Sequence, residues 1–225
     1  MTGHKLDRPI WAALTSKQAY LSSGGPEAMR FPADISPFAA TPDDDPESLA
    51  RLAALIPSGA IFVTVAKTAA VPPQTTVEKA APLIQMHAVD LVAAEPGEEV
   101  IALGDDDARE MLELATLTRP GPFLINTHRL GRFIGVRKDG RLAAMAGERL
   151  HVDGYREVSA VCTHPDFRGR GYAGLLSRIV ANRIKVEGET PFLHAYADNA
   201  AAIRLYESLG FRIERELVVQ MLRRD

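Results

Sequence analysis

Val161-Cys162-Thr163-His164-Pro165-Asp166-Phe167-Arg168-Gly169-Arg170-Gly171-Tyr172-Ala173 is the stretch on which the reading of this 225-residue chain turns. Apolar, β-prone residues lead into His-Pro, and an Arg-Gly-Arg-Gly turn follows, beyond which a helical pattern runs from about Gly169 to Val186. The glycines let backbone pass close to a ligand, and the first amides of a helix, helped by its dipole, form a site for phosphate. Two arginines inside the turn strengthen the anion reading. From His128 to Lys185 there are 12 Lys and Arg against 5 Asp and Glu, a local positive excess in a chain whose net charge is only -3.

Upstream of this segment, Asp139-Gly140 and Asp153-Gly154 supply the positive φ angles of tight primed turns. They connect predicted strands at 132–137, 141–152 and 155–163 into an antiparallel meander. Asp105 to Asp107 place carboxylates at the start of a helix ending near Thr118, after a short strand at 100–103. Downstream come a strand at 192–196, a helix at 199–209 stopped at Gly210, and one or two strands over 211–222. A helix joining two strands makes the sheet locally parallel. From Glu98 onward the expectation is therefore an α/β mixed sheet with helices packed on it.

The first 97 residues read differently. Eleven of the 15 prolines fall between Pro9 and Pro96, which favours short elements. A helix is predicted over 46–56, where Leu49, Leu52, Ala53 and Ile56 fall at helical spacing, with strands at 61–65 and 83–87. Trp11 and Tyr20 are expected to pack. The division expected is 1–97 and 98–225.

Gly169, Gly171 and Gly174 also make G-x-G-x-x-G, with Asp198 about 24 residues on, the pattern of a dinucleotide site. That fingerprint opens a parallel α/β domain, whereas here it follows an antiparallel meander with about 50 residues left. No Gly-Lys-Ser/Thr follows the glycines, which argues against a P-loop.

The quoted stretch resembles the acetyl-CoA signature of GNAT (Gcn5-related N-acetyltransferase) enzymes. Asn199 followed by Leu205-Tyr206-Glu207-Ser208-Leu209-Gly210-Phe211 resembles that family's next motif, and the wording is similar to its FR47-like subgroup. The resemblance covers 98–225 and implies a GNAT acyl-CoA N-acyltransferase fold there; residues 1–97 align with nothing in the family's core and are expected to be an N-terminal extension, with a degenerate second GNAT-like half as one reading of it. It implies acetyl-CoA as co-substrate and acetyl transfer to an amine of a small molecule or peptide, by direct attack in a ternary complex. It further implies that backbone of Arg168, Gly169, Arg170, Gly171, Tyr172 and Ala173 holds the pyrophosphate, and that the pantetheine arm lies along Val161, Cys162 and Thr163. Asn199 would contact the arm and Tyr206 would be the acid beside the sulfur.

The base is sought from strand parity: Glu157 alternates onto the face of Ser159, Val161 and Thr163, and Glu148 on the preceding strand is second. Cys162 alternates to the other face and reads as a buried apolar residue. His4, His87, His128, His151, His164 and His194 show no metal-ligand spacing, so no metal is expected. A lone cysteine and the absence of a signal-like start suggest a cytoplasmic protein, with no membrane or nucleic-acid partner. Two other functions stay open: an NAD(P)-dependent oxidoreductase using the glycine loop, and a non-catalytic acyl-CoA-binding module.

Overall fold

The structure, a computed structural model, describes residues 3–94 and 100–225, so the expected boundary at 97/98 lies outside the described residues. Among the described residues eleven strands and five α-helices follow one another: α1 (Pro9–Leu14), β1 (Ser23–Gly25), β2 (Ala28–Arg30), β3 (Ala39–Ala40), α2 (Pro46–Leu55), β4 (Ile61–Ala66) and β5 (Thr75–Ala88) come first. Then come β6 (Ile101–Leu103), α3 (Ala108–Thr118), β7 (Phe133–Lys138), β8 (Arg141–Val152), β9 (Tyr155–Thr163), α4 (Tyr172–Val186), β10 (Thr190–Tyr196), α5 (Ala200–Ser208) and β11 (Phe211–Arg224).

Strands β1 to β3 form a small antiparallel sheet, and the others form one eight-stranded mixed sheet in the order β4-β11-β5-β10-β9-β8-β7-β6. Residues from both sides of the expected boundary thus share one sheet, with β5 inserted between β11 and β10. The meander β7-β8-β9 is antiparallel, and β10 joins β9 in parallel. A mixed sheet of this order is not the doubly wound parallel sheet that a dinucleotide fingerprint accompanies.

The order meander, helix, parallel strand occurs twice. After β1-β2-β3 and α2 the chain returns in β4, where Phe38 bridges Val63 in parallel. The turn before α2 carries Asp43, Asp44 and Asp45, which repel an anion, where the turn before α4 carries arginines.

Apolar periodicity explains the layers. Leu176, Val180, Ala181 and Ile184 of α4, with Tyr206 and Leu209, pack on Ile84, Met86, Ala144, Ala146, Val158 and Leu193 of the sheet. The opposite face is covered by Ile10, Ala13 and Leu14 of α1 with Phe31 and Phe38, over Leu83, Leu150, Phe192 and Leu217. Helix α3 packs on β8 and β9, with Phe133 of β7 at its edge, through Met111, Leu114 and Ala115 against Phe133, Met145 and Cys162.

Three expectations are corrected. Helix α4 begins at Tyr172, because Gly169 (φ 76°) and Gly171 (φ 81°) are left-handed and hold 169–171 as a turn. The strand expected over 83–87 extends back to Thr75, since its first half is held by pairing with distant β11 and not by its own pattern. Pro82 is tolerated because it lies one residue beyond the last pair with β10, Leu83 with Tyr196. Tyr20, expected to pack, is 76% exposed, whereas Trp11 packs against the α1 core.

Candidate active site

Strands β9 and β10 pair only where Tyr155–Glu157 meets Thr190–Phe192. Beyond Glu157 and Phe192 they diverge, and a cleft of about 460 Å³ opens at the end of β9. It is lined by Val161, Cys162, Thr163, Arg168, Gly169, Arg170, Gly171, Tyr172, Ala173 and Asn199, so every cofactor-binding residue expected from sequence except Tyr206 meets there. Tyr206 lines an adjoining space of about 170 Å³, together with Val161 and Asn199.

The loop is built for an anion. An added Cβ at Gly169 or Gly171 would meet nothing within 4 Å, so the glycines serve the left-handed turn and leave the backbone open to solvent. The first helical bond runs from the Leu175 amide to the Gly171 carbonyl, 3.0 Å, leaving the amides of Tyr172, Ala173 and Gly174 without helical acceptors. His164 closes the turn from the other side, its Nδ1 accepting from the Asp166 amide at 3.2 Å. The Arg170 guanidinium lies 5.3 Å from the centre of the Phe167 ring, and among the described residues neither Arg168 nor Arg170 has a carboxylate partner.

Open strand edges, free helix amides and unpaired arginines fit a ligand with an amide-rich arm and a pyrophosphate. Asn199 caps α5, its Oδ1 accepting from the Ala202 amide at 3.1 Å, and it lines the cleft as well. The Tyr206 hydroxyl has no hydrogen-bond partner among the described residues, and its ring meets Phe211 edge-on at 6.1 Å. Burial, with a lesser contribution from Cys162, pushes its pKa up to about 12, so it keeps its proton at neutral pH. Cys162 turns into the α3 core, where burial raises its thiol to about 11, a poor nucleophile.

Parity along β9 does not hold. Ser159 pairs with Gly147 and Cys162 with Met145, so three steps on β9 oppose two on β8, and Ala160 takes a left-handed φ of 51°. Past this bulge the faces exchange: Val161 packs on the α4 side with Val158, although it is separated from Val158 by an odd step. Glu157 therefore does not share a face with Val161 and Thr163.

Glu157 is 1% exposed, and its oxygens accept from Arg149 Nε (2.9 Å) and Nη2 (2.7 Å), the Leu150 amide (3.3 Å) and His194 Nδ1 (2.7 Å). Burial alone would raise its pKa; the guanidinium and the histidine outweigh it and hold the carboxyl at about 2. A carboxylate so committed is a weak proton acceptor, which corrects its expected role as base. Glu148, the second choice, is equally engaged, with Arg132 at 3.0 Å, Arg183 at 2.7 Å and Arg156 at 3.3 Å, and it lines none of these spaces.

Pairing with an arginine is the other role open to Glu157 from sequence, and here the arginine is Arg149, with His194 beside it. Arg149 and His194 both line the space beside Tyr206, and His194 Nε2 lies 2.9 Å from Gln85 Nε2, which donates. Arg119 was missed: a non-glycine residue at φ 52°, it lines the cleft, the space beside Tyr206 and a third, larger cavity. That cavity, about 610 Å³, shares Phe38, Tyr196, Pro122 and Val219 with the middle space. Cleft and gap in turn share Arg119, Pro120, Val161 and Asn199, so the three spaces adjoin in series.

The model of the FR47-like protein family matches residues 133–219. The chain is similar to the crystal structure of a GNAT-family protein from Novosphingobium aromaticivorans, with 43% identity, a TM-score of 0.92, and 99% of this chain and 100% of that chain covered. A GCN5-related N-acetyltransferase from Kribbella flavida shares the fold at 20% identity and TM-score 0.61, over 93% of this chain and 95% of that one. The mycothiol acetyltransferase of Nocardiopsis dassonvillei is 36% identical over 36% of this chain and 27% of its own length. The ribosomal protein bS18-alanine N-acetyltransferase of Salmonella typhimurium is 38% identical over 32% of this chain and 49% of its own. The chain thus spans about a quarter to a half of these curated relatives.

Proposed function

Because the chain belongs to the GNAT acetyltransferase superfamily, we propose that it transfers an acetyl group from acetyl-CoA to a primary amine of a small molecule or peptide, by direct attack in a ternary complex. GNAT acetyltransferases use acetyl-CoA, which supplies an activated thioester. The observation that carries the reading is that the Arg168–Ala173 cleft, the gap at Val161 and Tyr206 and a separate cavity adjoin in series.

In this reading the loop amides and arginines hold the pyrophosphate, and the edge of β9 from Val161 to Thr163 receives the arm. The acyl carbon then lies in the gap, and an amine entering from the cavity attacks it. As the carbon–sulfur bond breaks, the neutral Tyr206 phenol gives its proton to the leaving sulfur. A backbone amide at the end of β9 meets the developing oxyanion. The attacking amine must be neutral, and its ammonium form, with a pKa near ~10.4, dominates in water at pH 7. Glu157 is held by Arg149 and His194 and is no free base, so the amine proton passes to solvent water in the gap.

Thermal melting with acetyl-CoA, CoA, NAD and NADP titrated separately tests the reading, since a ligand that binds only the native state raises the midpoint. A rise with acetyl-CoA, followed by thiol release in the presence of amines, supports it. A rise with NAD alone overturns it in favour of an oxidoreductase, and binding without turnover across amines favours an acyl-CoA-binding module.

A further inference from the structure

The 610 Å³ cavity at the far end of this series has a composition that discriminates among amines. Its walls are apolar, built by Phe31, Phe38, Phe62, Val63, Val219 and Met221. No aspartate, glutamate or histidine lines it, and its charged groups are all cations: Arg30, Lys79 and Arg119. Such a volume suits a small organic molecule with its apolar body enclosed.

These cations are not spent on the protein. Among the described residues neither Arg30 nor Arg119 has a carboxylate partner, and the Arg30 Nε is buried without a hydrogen-bond acceptor. Lys79 likewise has no carboxylate partner; its ammonium lies 5.1 Å from the centre of the Tyr196 ring, which lines both cavity and gap. Lys79 and Arg119 are exposed and Arg30 is partly so, and their unpaired charges are open to a carboxylate in the cavity.

We infer that the acceptor is a small amine that carries both an apolar body and a carboxylate, the chemistry of a hydrophobic amino acid, and that Arg30 and Arg119 receive the carboxylate. The inference rests on the acetyl-transfer reading and narrows it. The apolar walls take the side chain, the arginines take the carboxylate, and the amine is left to point through the gap toward Tyr206. A polycation or a polyhydroxylated sugar amine finds no matching group: the former meets three positive charges, the latter apolar walls that leave its hydroxyls unpaired.

The test begins with acetyl-CoA in a melting assay, so that loss of the acetyl-transfer reading is seen separately. With binding established, thiol release is measured for phenylalanine, leucine and methionine, for their amides, for phenethylamine, and for spermidine and glucosamine. The acids are expected to exceed their own amides in kcat/KM by about tenfold or more, as loss of a charge-assisted hydrogen bond implies. In Arg30→Gln the acid-to-amide ratio falls toward one, while the acetyl-CoA melting shift persists. Equal use of acids and amides, a preference for spermidine or glucosamine, or acetyl-CoA binding with no amino acid consumed overturns the inference.

Discussion

Glu157 Oε1 and His194 Nδ1 lie 2.7 Å apart, both side chains almost wholly buried, on neighbouring strands just where β9 and β10 part. The carboxylate is also clamped by Arg149, whose guanidinium rests 4.9 Å from the Phe38 ring centre, so one charge ties the two walls of the gap together. Removing that charge tests what it holds. Glu157→Gln leaves Arg149 uncompensated, and a loss on the order of 3 kcal/mol in urea unfolding is expected for breaking a buried pair. A change within 0.5 kcal/mol, the range of ordinary surface substitutions, would mean the clamp contributes nothing.

Acid should unfold the protein in two stages. Burial, with help from Arg215, lowers His87 from 6.5 to about 4. The folded state then binds that proton less tightly than the unfolded chain, so the stability is complete above pH 6.5 and is lost as pH falls toward 4. Glu157 follows with the same sign lower down, its contribution present above 4.5 and lost as pH falls toward 2. Urea midpoints measured across this range for the wild type and His87→Gln should diverge below pH 6.5, and parallel curves would refute the assignment.

Tyr206→Phe keeps the ring and its contact with Phe211 and removes only the proton. Turnover is expected to fall about 100-fold, the low end of general-acid contributions, with the acetyl-CoA melting shift retained. An unaltered kcat would show that the sulfur leaves without this phenol.

Gly171→Ala places a side chain at φ 81°, where left-handed backbone costs an L residue about 1–2 kcal/mol. Since an added Cβ meets no protein atom, the cost is torsional, and Gly171→Asp adds a charge that opposes an anionic ligand. Alanine is therefore expected to lower the melting temperature while aspartate in addition abolishes the acetyl-CoA shift, both read in one titration.

The legible parts of this protein are those whose causes are local. Asp139-Gly140 and Asp153-Gly154 dictate tight turns, and the hairpins stand where they require, with Gly140 at φ 74° and Gly154 at φ 81°. The Arg-Gly-Arg-Gly turn and the apolar period of α4 likewise act within a few residues, and the loop lies beside Val161–Thr163 and Asn199 in one cleft. Strand parity was the weak step, because one left-handed residue, Ala160, exchanges the two faces of β9 and no composition marks an alanine for that conformation.

By itself the sequence determined the mixed α/β class, the anion-binding turn and the family resemblance, all of which rest on torsion preferences and short-range periodicity. Only the tertiary structure decided that β5 lies between β10 and β11, that Glu157 is held by Arg149 and His194, and that Arg30 and Arg119 flank a carboxylate-free apolar cavity. Arg149 and His194 are separated by β9 and α4 in the chain, and Arg30 and Arg119 by most of the N-terminal half. What such residues do depends on the charge and burial each finds around it, and those are set by strand pairing across the sheet, which no local pattern encodes.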